Sequence, residues 1–547
     1  MNPSVETDRL GNSTILFNPK HTTHSPIQDL TPALKDVVLQ AAASSQETLV
    51  ETTLPSLRRR LGDTEASYFL PSRESGVNDM YLMLGLNCAA KAMSKGGVNV
   101  AWAILRCRHP LLASSINMEN YQDVFFKYSP PPTVDAALSS AETSLEYRTQ
   151  TFDELLNDYL NGPRTLSNER LSYLIVSSAV SNESCGDEEV SFDLLICSTH
   201  FLGDGMALHQ FAHEFLSLLG NNDEHALLGV LESEVSSLTD KLSKPENEQS
   251  YLPLSLESQL PPSPASKFHA AATLVDHLAD QRRQIGGHSF PRRSAPDRRT
   301  MVPTLSYNAD KTKSILKKCK ENGVSISSAI FALCNIAWAR TGTDGWELPM
   351  MMYSALNIRP HLQANERLNK SYFFLCIGFF NIILPSFLPI HADHGKIFWH
   401  RARSVKAQTA KIAKSPSLIS RSKEMAKERG TRARMWAMQD DGVECTMEPL
   451  KSSPLPDGPS KAPSRALIGL SMLGNLDGIY KHPSFPSIKL HTLTTGSRQR
   501  HGGMLLFGYT FVGKLWLSLG YDVNGFEDGV VQTFWHNLLT CVDEFLL

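Results

Sequence analysis

A change of hydrophobic period around residues 199–206 constrains this chain more than any other feature. Val190 to Thr199 is an apolar, β-prone run that reads as a mostly buried strand. From Met206 onward Leu208, Phe211, Phe215 and Leu218 recur at helical spacing. Between them stands His200-Phe-Leu-Gly-Asp-Gly205, so histidine, aspartate and glycine fall at H-x-x-x-D-G spacing where strand gives way to helix. His200 thus leaves the strand with its backbone fixed and its side chain free to reach a cleft. An imidazole titrates near neutrality, so it can take a proton from an alcohol and return it to a leaving thiolate within one turnover. Asp204 is better suited to tying down the loop, through an arginine or backbone amides, than to moving protons. Gly205 allows close approach of a substrate or backbone, or supplies a φ that other residues resist. A plainer reading stands beside this one: a histidine in a turn, with Asp204 capping the helix.

The motif and its flanks resemble the HxxxDG acyltransferase superfamily. That superfamily holds plant BAHD acyltransferases, chloramphenicol acetyltransferase, nonribosomal peptide condensation domains and fungal O-acetyltransferases. Further segments agree with it in order. Trp102–Ala113 resembles its early helix-to-strand passage with a His-Pro-x-Leu signature, and Leu356-Asn-Ile-Arg-Pro360 the strand end that bears an arginine. Ile377-Gly-Phe-Phe-Asn-Ile382 resembles the Gly-x-x-Asn strand, and Leu515–Asp522 with its helix-like tail the last strand and helix. The stretch Thr494–Thr510 is most similar to fungal acetyltransferases of the trichothecene 15-O-acetyltransferase type. No plant-type D-F-G-W-G motif is present.

The resemblance implies an α/β fold of two chloramphenicol-acetyltransferase-like sandwich domains, mixed sheets flanked by helices, with the active-site tunnel between them. It makes His200 the general base and Arg359 the partner of Asp204. By analogy it offers the hydroxyls of Thr494, Thr495 and Ser497 as oxyanion or substrate-binding groups, Thr495 first. The co-substrate would be acyl-CoA, acetyl-CoA by family analogy, with no bound cofactor and no metal. The acceptor would be a small-molecule alcohol such as a hydroxylated fungal terpenoid. Two rivals remain: a condensation-type enzyme fed by a carrier-protein thioester, and a non-catalytic module that kept the fold.

Composition fits an enzyme of this size. At 547 residues the chain exceeds one ordinary core, so two domains are expected. We place them at residues 1–240 and 304–547, joined by a crossover at 241–303 that opens on Pro, Ser, Glu and Gln. With 53 basic and 56 acidic residues the net charge is -3, which gives no reason to expect nucleic-acid binding. Nine scattered cysteines without C-x-x-C pairs suit reduced thiols, and the polar N-terminus does not read as a signal peptide. A cytoplasmic monomer without a membrane span is therefore expected. His209 and His213 share a helix face, but Gln210 replaces the glutamate of a zinc protease motif. Cys197 reads as a buried apolar residue.

The remaining elements are coarser. Helices are expected over Leu30–Leu61, ending in Arg58-Arg59-Arg60, and within Val77–Arg108. Others are expected at Asp153–Leu160, Ala265–Arg282, Lys311–Asn322, Ser325–Arg340, Phe398–Lys414 and Leu418–Met438. Ser371–Ala392 carries no charged side chain, yet its glycine and prolines make it two buried strands meeting at a turn. Ser181–Glu189 and Met447–Ser464 read as loops.

Overall fold

The computed structural model describes residues 54–178, 189–243, 251–262, 266–342, 345–363, 372–444 and 462–547. The loops expected at Ser181–Glu189 and Met447–Ser464 fall almost wholly outside these residues, as does the helix expected over Leu30–Leu61 up to Thr53. The early strands are β1 (Leu57–Arg60), β2 (Met80–Ala89), β3 (Ser115–Met118), β4 (Val124–Tyr128), β5 (Leu145–Arg148), β6 (Ser172–Ser177) and β7 (Glu189–Ser198). The helices among and after them are α1 (Asp63–Ser72), α2 (Lys95–Arg108), α3 (Val134–Glu142), α4 (Phe152–Asn161), α5 (Gly205–Asn221) and α6 (Glu224–Leu242). Then come α7 (Leu256–Gln259), α8 (Lys267–Arg282), β8 (Thr300–Met301), β9 (Thr304–Tyr307), α9 (Ala309–Glu321) and α10 (Ile326–Ala339). The chain closes with β10 (Met350–Asn357), β11 (Ile377–Leu384), α11 (His394–Ala413), α12 (Leu418–Asp440) and β12 (Ala466–Asn475). Last are β13 (Ile488–Ser497), β14 (Met504–Phe511), β15 (Lys514–Asp522) and α13 (Val530–Leu546).

Two mixed sheets organise these elements. The first runs β13-β2-β7-β6-β5; the second runs β11-β10-β12-β14-β15-β8, with β9 also on β15. A small antiparallel sheet, β1-β4-β3, lies apart. β13 comes from the later half of the chain but pairs antiparallel with β2, from Ile488 opposite Cys88 to Ser497 opposite Met80. The two sheets therefore share chain, and a cut at residue 304 does not separate their strands.

β2 is buried on both faces. Leu82, Leu84 and Leu86 join the main core, while Tyr81 and Met83 pack with Tyr159, Leu195 and Cys197 on the other side. The stretch Val77–Arg108, expected to carry one or two helices, carries one long α-helix, Lys95–Arg108, with β2 ahead of it. A strand sandwiched on both sides shows no alternation, so periodicity cannot tell it from a buried helix. Arg58–Arg60 likewise belong to a strand rather than a helix end. There the Arg58 and Arg59 guanidiniums lie 3.5 and 4.8 Å from the ring centres of Phe125 and Phe126. In the second half α10 is buried along nearly its whole length and packs beside α11 and α13 against the second sheet. No single helix among the described residues is long and apolar enough to cross a membrane.

One helix ties the second half to the first. α12 lies along α1: Arg434 pairs with Asp63 at 2.7 Å, and Arg73 reaches Asp441 at the other end. A methyl on Gly430 would meet Asp63 Cβ at 2.9 Å, so the helices meet where one has no side chain. α1 in turn covers the motif loop. Phe201 is buried there, edge-on to Phe69 of α1 (5.3 Å between ring centres) and tilted against Phe126 of β4 (5.9 Å). Phe201→Ala is expected to cost about 3–5 kcal/mol, as truncation of a buried phenylalanine does. Urea unfolding followed by circular dichroism would show it; an unchanged midpoint would mean Phe201 is no part of the core.

Candidate active site

β7 ends at Ser198 because the chain must turn, and His200 and Phe201 form that turn before α5 begins at Gly205. The His200 ring stacks on Tyr68 of α1, with 4.1 Å between centres and 24° between planes. Its Nδ1 is shielded from solvent and has no well-formed hydrogen-bond partner in the protein. Burial pulls the His200 pKa below its ordinary value. Its own backbone, the Asp204 charge and Gly203 oppose that shift, while Arg429 adds to it. A neutral imidazole is the form a general base needs.

Asp204 fixes this turn in three ways. As N-cap of α5 it accepts a hydrogen bond from the Ala207 N–H at 3.1 Å. It accepts two more from Arg359 Nη1, at 3.0 and 2.9 Å, and one from the Cys376 N–H at 2.9 Å. The Arg359 guanidinium also donates to the carbonyls of Tyr372 (3.3 Å) and Phe374 (2.8 Å). The capping reading and the arginine-partner reading of Asp204 thus describe one carboxylate doing both. The same bonds correct the expectation of two strands over Ser371–Ala392. Only β11 forms, because backbone groups of Tyr372–Cys376 bond to Arg359 and Asp204 instead of to a neighbouring strand. Glu214 of α5 secures that segment from behind, accepting from the Tyr372 hydroxyl and from Arg108, each at 2.6 Å. Burial alone would raise Glu214, but His109, Tyr372 and Arg108 hold its carboxyl at about 2.

The other sequence-derived positions divide. Gly205 has ordinary backbone angles, and a methyl there would only touch Leu473 at 3.4 Å. The tight position is Gly203, where a methyl would meet the Phe373 ring at 2.9 Å. Thr495 donates its hydroxyl to the Tyr81 carbonyl at 2.9 Å, and Gln499 donates to the Ser497 carbonyl at 3.2 Å and to its hydroxyl at 3.4 Å. The buried Thr494 hydroxyl lies beside the Tyr81 hydroxyl, and neither forms a well-aligned bond. His209 bonds the Tyr480 hydroxyl at 2.9 Å through Nδ1, and burial lowers its pKa to about 3. Burial holds the Cys197 thiol well above its ordinary pKa, in its protonated form.

Two residues escaped sequence reasoning. Tyr68, its hydroxyl pushed up to about 12 by burial, forms the floor under His200. Arg429 of α12 lies 4.2 Å from the ring centre of Phe379 and 5.6 Å from that of Tyr68. Its Nε is buried and unbonded. Tyr68 belongs to no motif, and Arg429 is one cation among many in a charged helix; only the α1–α12 contact brings them to His200. The site therefore draws on both halves of the chain.

No family model and no curated protein matches the sequence. Solved structures do match by shape. TRI3 trichothecene 15-O-acetyltransferase from Fusarium sporotrichioides aligns at TM-score 0.70 and 12% identity, over 90% of this chain and 96% of that one. The cyclization-docking bidomain of EpoB from Sorangium cellulosum aligns at 0.53 and 12%, over 94% and 93%. The condensation domain of the polyketide synthase MokA aligns at 0.52 and 12%, over 90% and 97%. The chain has the fold of the chloramphenicol-acetyltransferase-like acyltransferases and condensation domains.

The Asp204–Arg359 pair generates a prediction. Asn at position 204 can still cap α5, but it leaves Arg359 beside no negative charge. Asp204→Asn is expected to cost about 3 kcal/mol, the lower end for breaking a buried pair from one side. Arg359→Met in the same background should return part of that cost, since removing both charges leaves neither unpaired. Denaturant unfolding of the single and double variants measures the coupling. Strictly additive effects would show that the pair does not act as a unit.

Proposed function

We propose that this protein is an acyl-CoA-dependent O-acyltransferase, an acetyltransferase acting on a hydroxyl of a small secondary metabolite such as a terpenoid. The observation that carries the reading is His200: a buried histidine with lowered pKa, stacked on Tyr68, on a turn whose backbone Asp204 and Arg359 lock. In this reading His200 takes the proton of the acceptor hydroxyl as its oxygen attacks the thioester carbonyl. The tetrahedral oxyanion is met by a hydroxyl donor, for which Thr494 and Ser497 are the candidates whose hydroxyl protons are not already given to a backbone carbonyl, as that of Thr495 is. One such donor contributes about 3 kcal/mol in comparable sites. Collapse breaks the C–S bond, and His200 returns the proton to the departing thiolate. No step needs an acyl-enzyme, a metal or a redox group. Asp204 and Arg359 position the loop and exchange no proton with substrate.

The greater likeness to the acetyltransferase than to the condensation domains favours a free thioester donor and an alcohol acceptor. A carrier-protein donor is the second reading, supported by the condensation-type neighbours. The sequence holds no Leu-Gly-x-[Asp/His]-Ser carrier motif of its own, so such a carrier would act in trans.

The test is acceptor-dependent thiol release from acetyl-CoA across hydroxylated terpenoids and polyketides, with wild type and His200→Ala. A loss of about 10²–10⁴-fold in the variant is expected for removal of a general base. Undiminished turnover by His200→Ala would refute the mechanism. Turnover with acyl-carrier donors alone would select the second reading.

A further inference from the structure

The loops that bracket β10 and β11 leave three large apolar side chains in solvent. Trp346 is 61% exposed, Phe387 52% and Ile390 87%. The rings of Trp346 and Phe387 sit 5.2 Å apart, beside a cavity of about 650 Å³ that Leu388, Pro389 and Ile390 also line. This patch marks the strand ends opposite Arg359. With strands of eight residues, about 25 Å separates it from the Asp204–Arg359 pair.

α11 begins directly after the patch, and the ring of its first residue, His394, bonds the Pro389 carbonyl at 3.0 Å. From His394 to Lys414 the sequence contains no Asp or Glu. At roughly 100° per residue, Lys396, His400, Arg403, Lys411 and Lys414 fall in one stripe about 80° wide. All five are exposed. The opposite face, Phe398, Ala402 and Val405, is buried in the second core. Three carboxylates lie near the patch among the described residues: Asp393, which caps α11 and pairs with Lys396 at 3.5 Å, the exposed Glu347 beside Trp346, and Glu544, which pairs with Arg340 at 2.7 Å and lies close to His394.

We propose that this surface docks on an anionic lipid bilayer. Trp346, Phe387 and Ile390 enter the interfacial region, and the α11 stripe lies against acidic headgroups. Isolated apolar residues on a surface need no explanation, but an aromatic and aliphatic cluster continuous with an acid-free cationic helix face combines the two attractions of interfacial binding. A nucleic acid would satisfy the stripe and leave the apolar cluster in water. The apolar strand Ile377–Leu384 plays no part: it is the edge strand of the second sheet, paired with β10 and packed against α11.

The experiment is cosedimentation of the full chain with vesicles of phosphatidylcholine, alone and mixed with phosphatidylserine, at low and high salt. Binding to the mixed vesicles that salt weakens is expected. K396Q/R403Q/K411Q should lower the partition coefficient about a hundredfold, at about fivefold per lost cation. W346S/F387S/I390S should lower it as well at either salt. Neither variant touches the residues around His200, and unchanged circular dichroism shows that each remains folded. No sedimentation with acidic vesicles overturns the proposal. So does binding that both variants retain, and so does retention by an oligonucleotide without retention by vesicles. The outcome is independent of whether the protein transfers acyl groups.

Discussion

The carboxylate of Asp204 is the point on which the site depends. Four hydrogen bonds from three partners converge on it: the Ala207 amide at the start of α5, the Arg359 guanidinium, which gives two, and the amide of Cys376. A buried carboxylate is costly unless every lone pair is used, and here the charge, the cap and the amide use them. The bond set explains why the segment before β11 runs without a strand partner and why Gly203 faces Phe373 so closely. It also separates two tasks. Asp204 fixes where His200 stands, and burial against Tyr68 decides its protonation state.

A second constraint is the sharing of chain between the two sheets. β13 leaves the second half to pair with β2, and α12 crosses back to lie on α1. Tyr68 and His200 from the first half therefore face Arg429 and Phe379 from the second. Because Arg429 opposes the protonated imidazole, the interface between halves is itself part of the electrostatics of His200.

Much of this was legible in sequence where a local rule decides the outcome. The switch from Val190–Thr199 to the helical spacing of Met206–Leu218 placed β7, the turn and α5 within a residue or two. The long helices α9, α11 and α13 carry their own 3.6-residue stripes. Legibility failed where tertiary contacts override local signals. β2 is apolar on both faces, so its pattern is silent between strand and helix. Arg58–Arg60 look like a charged helix end until Phe125 and Phe126 appear beneath them. Thr494 and Thr495 are neighbours in sequence, yet only the pairing of β13 with β2 reveals that Thr495 bonds the Tyr81 carbonyl while the Thr494 hydroxyl does not. Tyr68 and Arg429 lie hundreds of residues apart and carry no motif.

The most direct measurement is the titration of the His200 ring by carbon–proton correlation NMR, in wild type and in Asp204→Asn. The account predicts a neutral ring at neutral pH, titrating below the value of about 6.5 for a free imidazole. It predicts a further fall in the variant, because the Asp204 charge favours the protonated ring. A His200 that is protonated at neutral pH, or whose titration ignores the loss of Asp204, would contradict it.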